Sequence, residues 1–321
     1  MKHSILKMTA SVTLLASLVI VAPLSWANDD GGDGHSAFCS QTTRAAFKAC
    51  VKDIQDDFWE SKGVCINISD DVERDDCFKQ ARLDKRESAV LCREQREARN
   101  EVCEAIGEAR YDPQIDPANF VNPLEIGSTV AANTYMPLLQ GFTRIYEAGD
   151  ETVTVAVTSE TIEIMGVTCI VVRDTVEENG VLIEDTVDWF AQDIEGNVWY
   201  FGEIAKNFEE GLLTDLDGSW MAGKDGAKAG IVMKAAPEVG QVYRQEWALA
   251  EAEDMGEVLS TSATESSPAA SCNGDCLQTR DFTPIEPGVN ENKFYAPGIG
   301  VIVAFDLEEP DVREELVEYH Y

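Results

Sequence analysis

From Ser40 to Glu60 the apolar residues Phe47, Val51, Ile54 and Phe58 recur at three- and four-residue intervals, a spacing that predicts a helix. A second helix is predicted from Ser69, read as an N-cap followed by Asp70, Asp71 and Glu73 in the dipole-favoured first turn. It runs through Cys77, Leu83, Val90, Cys92, Val102 and Ile106 to Ala109. Between Tyr111 and Gly141, Pro113, Pro117, Pro123 and Pro137 rule out a long helix and mark a connector. From Phe142 the period changes to two. Val153, Val155 and Val157 alternate with threonines, Ile162 and Ile164 follow, and the run Val167 to Val172 continues the strand pattern. Asn179-Gly180 reads as a hairpin turn, and so does Glu195-Gly196-Asn197 between Asp188-Trp189-Phe190 and Val198-Trp199-Tyr200-Phe201. Further strands are expected at 231–234, 242–249, 257–260, 280–283, 293–296 and 301–305, with 261–270 (TSATESSPAA) as a low-complexity loop.

The cysteines add a constraint. Cys39 with Cys103, Cys50 with Cys92 and Cys65 with Cys77 have residue numbers that sum to 142 in every case. A constant sum is the register of two antiparallel segments. Cys39 and Cys50 are eleven residues apart, as are Cys92 and Cys103. That span is within about 20° of three helical turns, so each pair shares a helix face. Partners on one helix would be about 16 Å apart, too far for a disulfide. Pairing across a hairpin remains: Cys39–Cys103, Cys50–Cys92 and Cys65–Cys77, with the tip near residues 61–71. A fourth, local bond is expected between Cys272 and Cys276. Cys169 is left as a buried, inert thiol in an apolar strand.

The fold class is therefore α+β: an N-terminal disulfide-stapled antiparallel helical hairpin followed by an antiparallel β-meander, either a barrel or a strongly curved sheet. The expected division is a signal peptide at 1–27, a flexible leader at 28–38, the hairpin at 39–110, and the connector at 111–141. The β domain follows at 142–307, and 308–321 is read as an acidic tail.

The signal peptide is read from the basic start through Lys7, the apolar run Val12 to Ala22, and the small-residue exit Ser25-Trp26-Ala27, with cleavage after Ala27. The apolar run is too short to span a membrane, and no later stretch approaches the roughly 20 residues required. The expected location is periplasmic or extracellular, where disulfides persist. Losing Lys2 and Lys7 with no acid takes the formal charge from −34 to −36. So acidic a chain repels nucleic acid and anionic lipid and favours cations, cationic partners or plain solubility.

Charge also narrows the chemistry. Of the 3 histidines, His3 falls in the signal peptide, His35 in the leader, and His320 is next to last, so histidine-assisted nucleophilic catalysis and histidine zinc sites are not expected within residues 142–307. Carboxylates are abundant instead. Asp215-Leu-Asp217-Gly218 and Asp193-Ile-Glu195-Gly196-Asn197 are partial calcium loops, each without the complete 12-residue ligand set. They are candidates for weak calcium sites in the range of about 10⁻⁴–10⁻³ M. Asp188 beside Trp189, and Glu203 after the Trp199-Tyr200-Phe201 run, are the candidate carboxylate pair of a glycoside hydrolase.

Two resemblances follow from these residues. The hairpin is similar to the twin-cysteine helical hairpins of the coiled-coil-helix family, with a different spacing and an additional pair. Phe294-Tyr295-Ala296-Pro297-Gly298-Ile299-Gly300-Val301-Ile302, with Asp188–Asp193 and Gly196–Glu203, resembles the YAPGVG-type motif region of uncharacterised bacterial secreted or lipoprotein β-meander domains, over about residues 112–303. The resemblance implies a curved antiparallel sheet, export, no known reaction, and a fold type that often carries apolar ligands. The functional expectation is an exported, non-enzymatic binding or scaffold protein for a small apolar ligand, a divalent cation or a protein partner. The alternatives are the carboxylate hydrolase and a calcium-linked cell-surface structural protein.

Overall fold

A computed structural model describes residues 37–321. The expected signal peptide, its cleavage site and residues 28–36 lie outside the described residues. The chain forms two long helices, α1 (Phe38–Ile66) and α2 (Asp71–Ile106), and then an antiparallel sheet nearly closed into a barrel.

The hairpin has very little to bury. Its seam is a short set of buried residues, largely small side chains and cysteines with one Ile and one Val: Thr43, Ala46, Ile54 and Cys65 on α1, and Ala81, Cys92, Val102 and Cys103 with Arg99 on α2. Disulfides join Cys39 to Cys103, Cys50 to Cys92 and Cys65 to Cys77, with Cα separations of 5.6, 5.9 and 5.6 Å. The larger aromatics lie at the edge of the seam under cationic side chains, Phe47 beneath Arg96 and Phe58 beneath Lys85. The second helix is capped by Asp70, whose carboxylate accepts from the backbone N–H of Val72 and Glu73, and not by Ser69. Asp70 reaches both orphan donors from one position. The first helix continues past Glu60 to Ile66, so the hairpin tip is tighter than expected. Helix α1 starts at Phe38, taking in the last residue of the expected leader.

The strands are β1 (Thr143–Ala148), β2 (Glu151–Ile164), β3 (Val167–Glu178), β4 (Val181–Gln192), β5 (Val198–Glu209), β6 (Leu212–Asp215), β7 (Trp220–Met221), β8 (Lys228–Met233), β9 (Val242–Arg244), β10 (Glu246–Trp247), β11 (Met255–Ser266), β12 (Ser271–Phe282), β13 (Asn290–Ala296), β14 (Gly300–Asp306) and β15 (Arg313–His320). Two meanders, β1 to β5 and β11 to β15, are joined edge to edge because β15 pairs with β1. At the far edges the expected strand 242–249 does two jobs. Its first part, β9, pairs with β11, and its second part, β10, pairs with β8, with only Gln245 between them. One chain segment thus bridges both ends of the sheet. The Asn179-Gly180 turn joins β3 to β4 with φ of 50° and 78°, as a tight hairpin of the right twist requires.

Two expectations are corrected. The stretch 308–321 is not a tail, since Arg313–His320 is a strand paired on both sides and Leu316 is fully buried. Its acids read as solvated, but Arg313 pairs with Glu265 and Glu315 while Glu314 faces the barrel interior. The expected loop 261–270 is strand as far as Ser266, where the ladder with β12 continues to the Ser266–Ser271 pair and tertiary pairing overrides a composition that reads as loop. The Cys272–Cys276 bond, with Cα atoms 5.3 Å apart, lies in that ladder and closes a bulge around Gly274.

The proline-rich connector packs onto the barrel. Val121 donates to the Gln192 carbonyl, Ile194 to Asn119, and Gly298 to Thr134, while Leu138 is fully buried. The hairpin is tied on by the buried Arg99–Glu253 pair at 2.7–3.2 Å and by Gln95 donating to the Ile285 carbonyl at 2.7 Å. Among the described residues no helix is long and apolar enough to cross a membrane.

Candidate functional site: an acidic cavity inside the barrel

The nearly closed barrel holds a cavity of about 830 Å³ that opens to solvent. Its walls come from alternate positions of the strands, as the period of two dictates. On β4, Glu184 and Asp188 share one phase with Phe190, and on β13 Glu291 and Lys293 share one phase with Tyr295. Asp174 enters from β3, Glu246 from β10, Asp281 from β12 and Glu314 from β15. Thirteen acidic side chains line the cavity against two basic ones, Arg144 and Lys293. Tyr146, Phe190, Tyr200 and Tyr295 supply aromatic wall between them.

A bulge sets the centre of the site. Trp189 pairs with Gly202 but Phe190 pairs with Tyr200, so the β5 phase slips by one residue. Gly202 has φ of 132°, and a Cβ there would lie 2.3 Å from the Trp220 carbonyl oxygen, which excludes other residues. Because of the slip, Tyr200 and Glu203 both reach Asp188. The Tyr200 hydroxyl donates to Asp188 Oδ1 at 2.5 Å, and Glu203 is the cross-strand partner of Asp188. Phe190 stacks on Tyr200 with ring centroids 4.6 Å apart.

Burial and crowding of like charges make these carboxyl groups hold protons. Asp188 is pushed well above its ordinary range by burial and then by Glu203 and Asp174. Burial also pushes Asp174 up to about 8, helped by Glu314 and Glu184 and opposed by Arg144. Glu314 reaches about 8 through burial and the neighbouring Glu291. Glu246 is raised by burial and by Asp254 although the Trp220 indole donates to it at 2.7 Å. Lys293 is the counterweight. Burial alone would lower its ammonium pKa, but Asp281 and Glu291, each 3.0 Å away, raise it well above the ordinary value and keep it charged. Gln245, the corner of the closing strand, donates to the same Asp281 at 3.1 Å.

The expected site residues divide by location. Asp188 and Glu203 are brought together, buried, inside the barrel. Asp193 and Glu195 lie in the β4–β5 turn, where the Asp193 carboxylate accepts from Glu195 N–H, Asn197 N–H, the Asn197 amide and the Trp199 indole. Those four donors organise the turn. Asp215 and Asp217 are exposed near the cavity mouth, with Asp215 accepting from the Asn207 amide and the Asp217 N–H. Among the described residues no three His, Cys, Asp or Glu side chains gather as a metal-binding group. Cys169 is buried with its thiol pushed up to about 12 by desolvation.

Pattern reading missed Asp174, Glu184, Glu246, Asp254, Asp281, Lys293 and Glu314. The available signal was the run of acids in one phase of β4 and of charged residues in one phase of β13. A charged phase of a strand ordinarily means solvent. Comparison of the chain with protein-family models, curated proteins and solved structures finds no match.

Proposed function

We propose that the protein is a binding protein whose barrel interior receives a small ligand. The observation that carries this reading is the cavity of about 830 Å³, which falls in the size range of small-molecule sites and combines aromatic wall with convergent polar groups. The small apolar ligand and the protein partner suggested by the sequence fit this interior less well, because so many of its lining side chains are ionisable. The likeness of the Phe294–Ile302 segment to YAPGVG-type β-meander domains is consistent with a carrier. Native mass spectrometry of protein purified from its source, before and after organic extraction and chelation, tests the reading. A bound species is expected. Protein that is empty, and whose melting temperature is raised by no member of a mixed small-molecule library, would refute it.

Export to an oxidising compartment belongs to the same proposal and is supported by the four disulfides and by the signal-like segment in the sequence. N-terminal sequencing of protein from periplasmic and culture fractions is expected to begin at Asn28.

One observation favours a second reading, hydrolysis by carboxylates: Asp188 and Glu203 are direct cross-strand partners and burial with mutual repulsion keeps Asp188 protonated, as a general acid must be. Turnover of a panel of chromogenic glycosides at acidic pH, abolished by Asp188→Asn and by Glu203→Gln, would establish it. Inactivity across the panel rejects it.

A further inference from the structure

We propose that the ligand of the barrel is a flexible organic cation carrying two or more protonated amines on a hydrocarbon chain. This rests on the binding reading above and specifies its chemistry.

The first support is an unanswered acceptor. Asp174 is only 6% exposed, lines the cavity, and its Oδ1 has no hydrogen-bond partner. A buried acceptor without a donor is costly, and native interiors rarely keep one without a reason. An ammonium group supplies the donor and the charge together. The second support is that neither positive group already in the cavity satisfies this acceptor, although Arg144 lies near enough to favour its ionised form and keeps an unpartnered Nε. Lys293 is held between Asp281 and Glu291, and Arg144 donates from Nη1 to the Ile299 carbonyl. Neither makes a hydrogen bond to Asp174 Oδ1.

The third support is the distribution of the acids. A calcium ion needs six to eight oxygens converging at about 2.3–2.6 Å. Here the carboxyl groups are spread round the wall, from Glu246 on β10 past Asp188 on β4 and Asp174 on β3 to Glu314 on β15, and no three of them gather among the described residues. Dispersed acids suit dispersed charges. Between them lie Tyr146, Val172, Phe190 and Tyr200, surfaces that accept methylene links and offer ring faces to an ammonium.

Proton release is the signature. Asp174 faces Glu184 and Asp188 of β4, Glu314 of β15, and Arg144 and Tyr146 of β1, and the acids among these raise its proton affinity. An arriving ammonium favours the ionised carboxyl group, so binding near neutral pH expels protons from the cavity.

The test is isothermal titration calorimetry of spermidine into the purified full-length chain near pH 7, in two buffers of different ionisation enthalpy. Saturable binding near one to one, with a buffer-dependent heat that reports proton release, is expected. Asp174→Asn weakens it by about tenfold or more, the worth of one charge-assisted hydrogen bond. Glu195→Gln, on an exposed turn, leaves it unchanged. If Asp174→Asn does not fold, Glu314→Gln and the proton count of the wild type serve instead. Spermidine binding that is indifferent to both interior substitutions is surface condensation and overturns the proposal. Tighter binding of calcium with the same dependence on Asp174 overturns it in favour of a metal ion. A neutral molecule that binds where spermidine does not overturns the cation and leaves the binding reading standing; if nothing binds at all, both fall.

Discussion

Replacing Asp174 by Asn removes a carboxyl group that the fold holds protonated, and the consequence can be worked through. Its pKa is 3.8 in the ordinary state and about 8 in the folded protein, raised first by burial and then by Glu314 and Glu184. Across that window the unfolded chain has lost the proton and the folded chain keeps it. The unfolded state therefore binds fewer protons, and stability falls as pH rises from about 4 to about 8. Each pH unit costs up to about 1.4 kcal/mol per carboxyl group. From about pH 5.5 to about pH 8 the wild type loses up to about 3 kcal/mol through this residue alone, less to the extent that water in the cavity solvates the anion. Asn is a neutral isostere of the protonated acid and carries no such term. Urea unfolding at the two pH values is the assay, with equal slopes on denaturant checked first. The variant is expected to be the more stable protein at both, with its advantage growing by roughly 2–3 kcal/mol toward the higher pH. Parallel profiles for the two proteins would show that Asp174 is solvated and ionised, and the account of a proton-holding cavity would be wrong.

The hairpin should depend on its bonds. The outermost disulfide closes a loop with a sequence separation of 64, worth about 4 kcal/mol by chain entropy and shared with the bonds nested inside it, so reduction is expected to remove the helical circular dichroism and leave the sheet signal. Arg99→Met strands Glu253, which is 2% exposed, and should lower stability by about 3–5 kcal/mol, with Arg99→Met/Glu253→Met recovering most of it in a thermal melt. Gly202→Ala sets a methyl group against the Trp220 carbonyl and should cost about 1–3 kcal/mol in urea unfolding, because backbone and not a flexible side chain stands in the way. Cys169 should resist alkylation in the native protein at neutral pH and label fully in denaturant; rapid native labelling would contradict a thiol raised to about 12.

Helices and strands were legible because each rests on a short-range period. The helical intervals of Phe47, Val51, Ile54 and Phe58, the alternation at Val153 to Val157 and the Asn179-Gly180 turn all specify local geometry that tertiary contacts had no reason to override. The cysteine register was legible for a rarer reason. A constant residue sum is a statement about two segments at once, and the structure joins Cys39–Cys103, Cys50–Cys92 and Cys65–Cys77 along one seam.

What the sequence could not reveal was which phase of each strand points inward. Alternation gives a period without a sign, and the usual inference that charges face water turned the acids of 308–321 into a tail and passed over Asp174, Glu184 and Glu314. Only closure of the sheet, by β15 against β1 and by the split strand around Gln245, makes an enclosed face that is polar. Asp188 and Glu203 could be suspected from neighbouring aromatics, but their pairing depends on register and on the slip at Gly202. The cavity is a property of distant strands brought together, with Asp174, Glu246 and Glu314 contributed from points far apart in the chain. No local pattern encodes their meeting, because the energy that places them there is spent on the apolar residues in other phases and at the ends of the same strands.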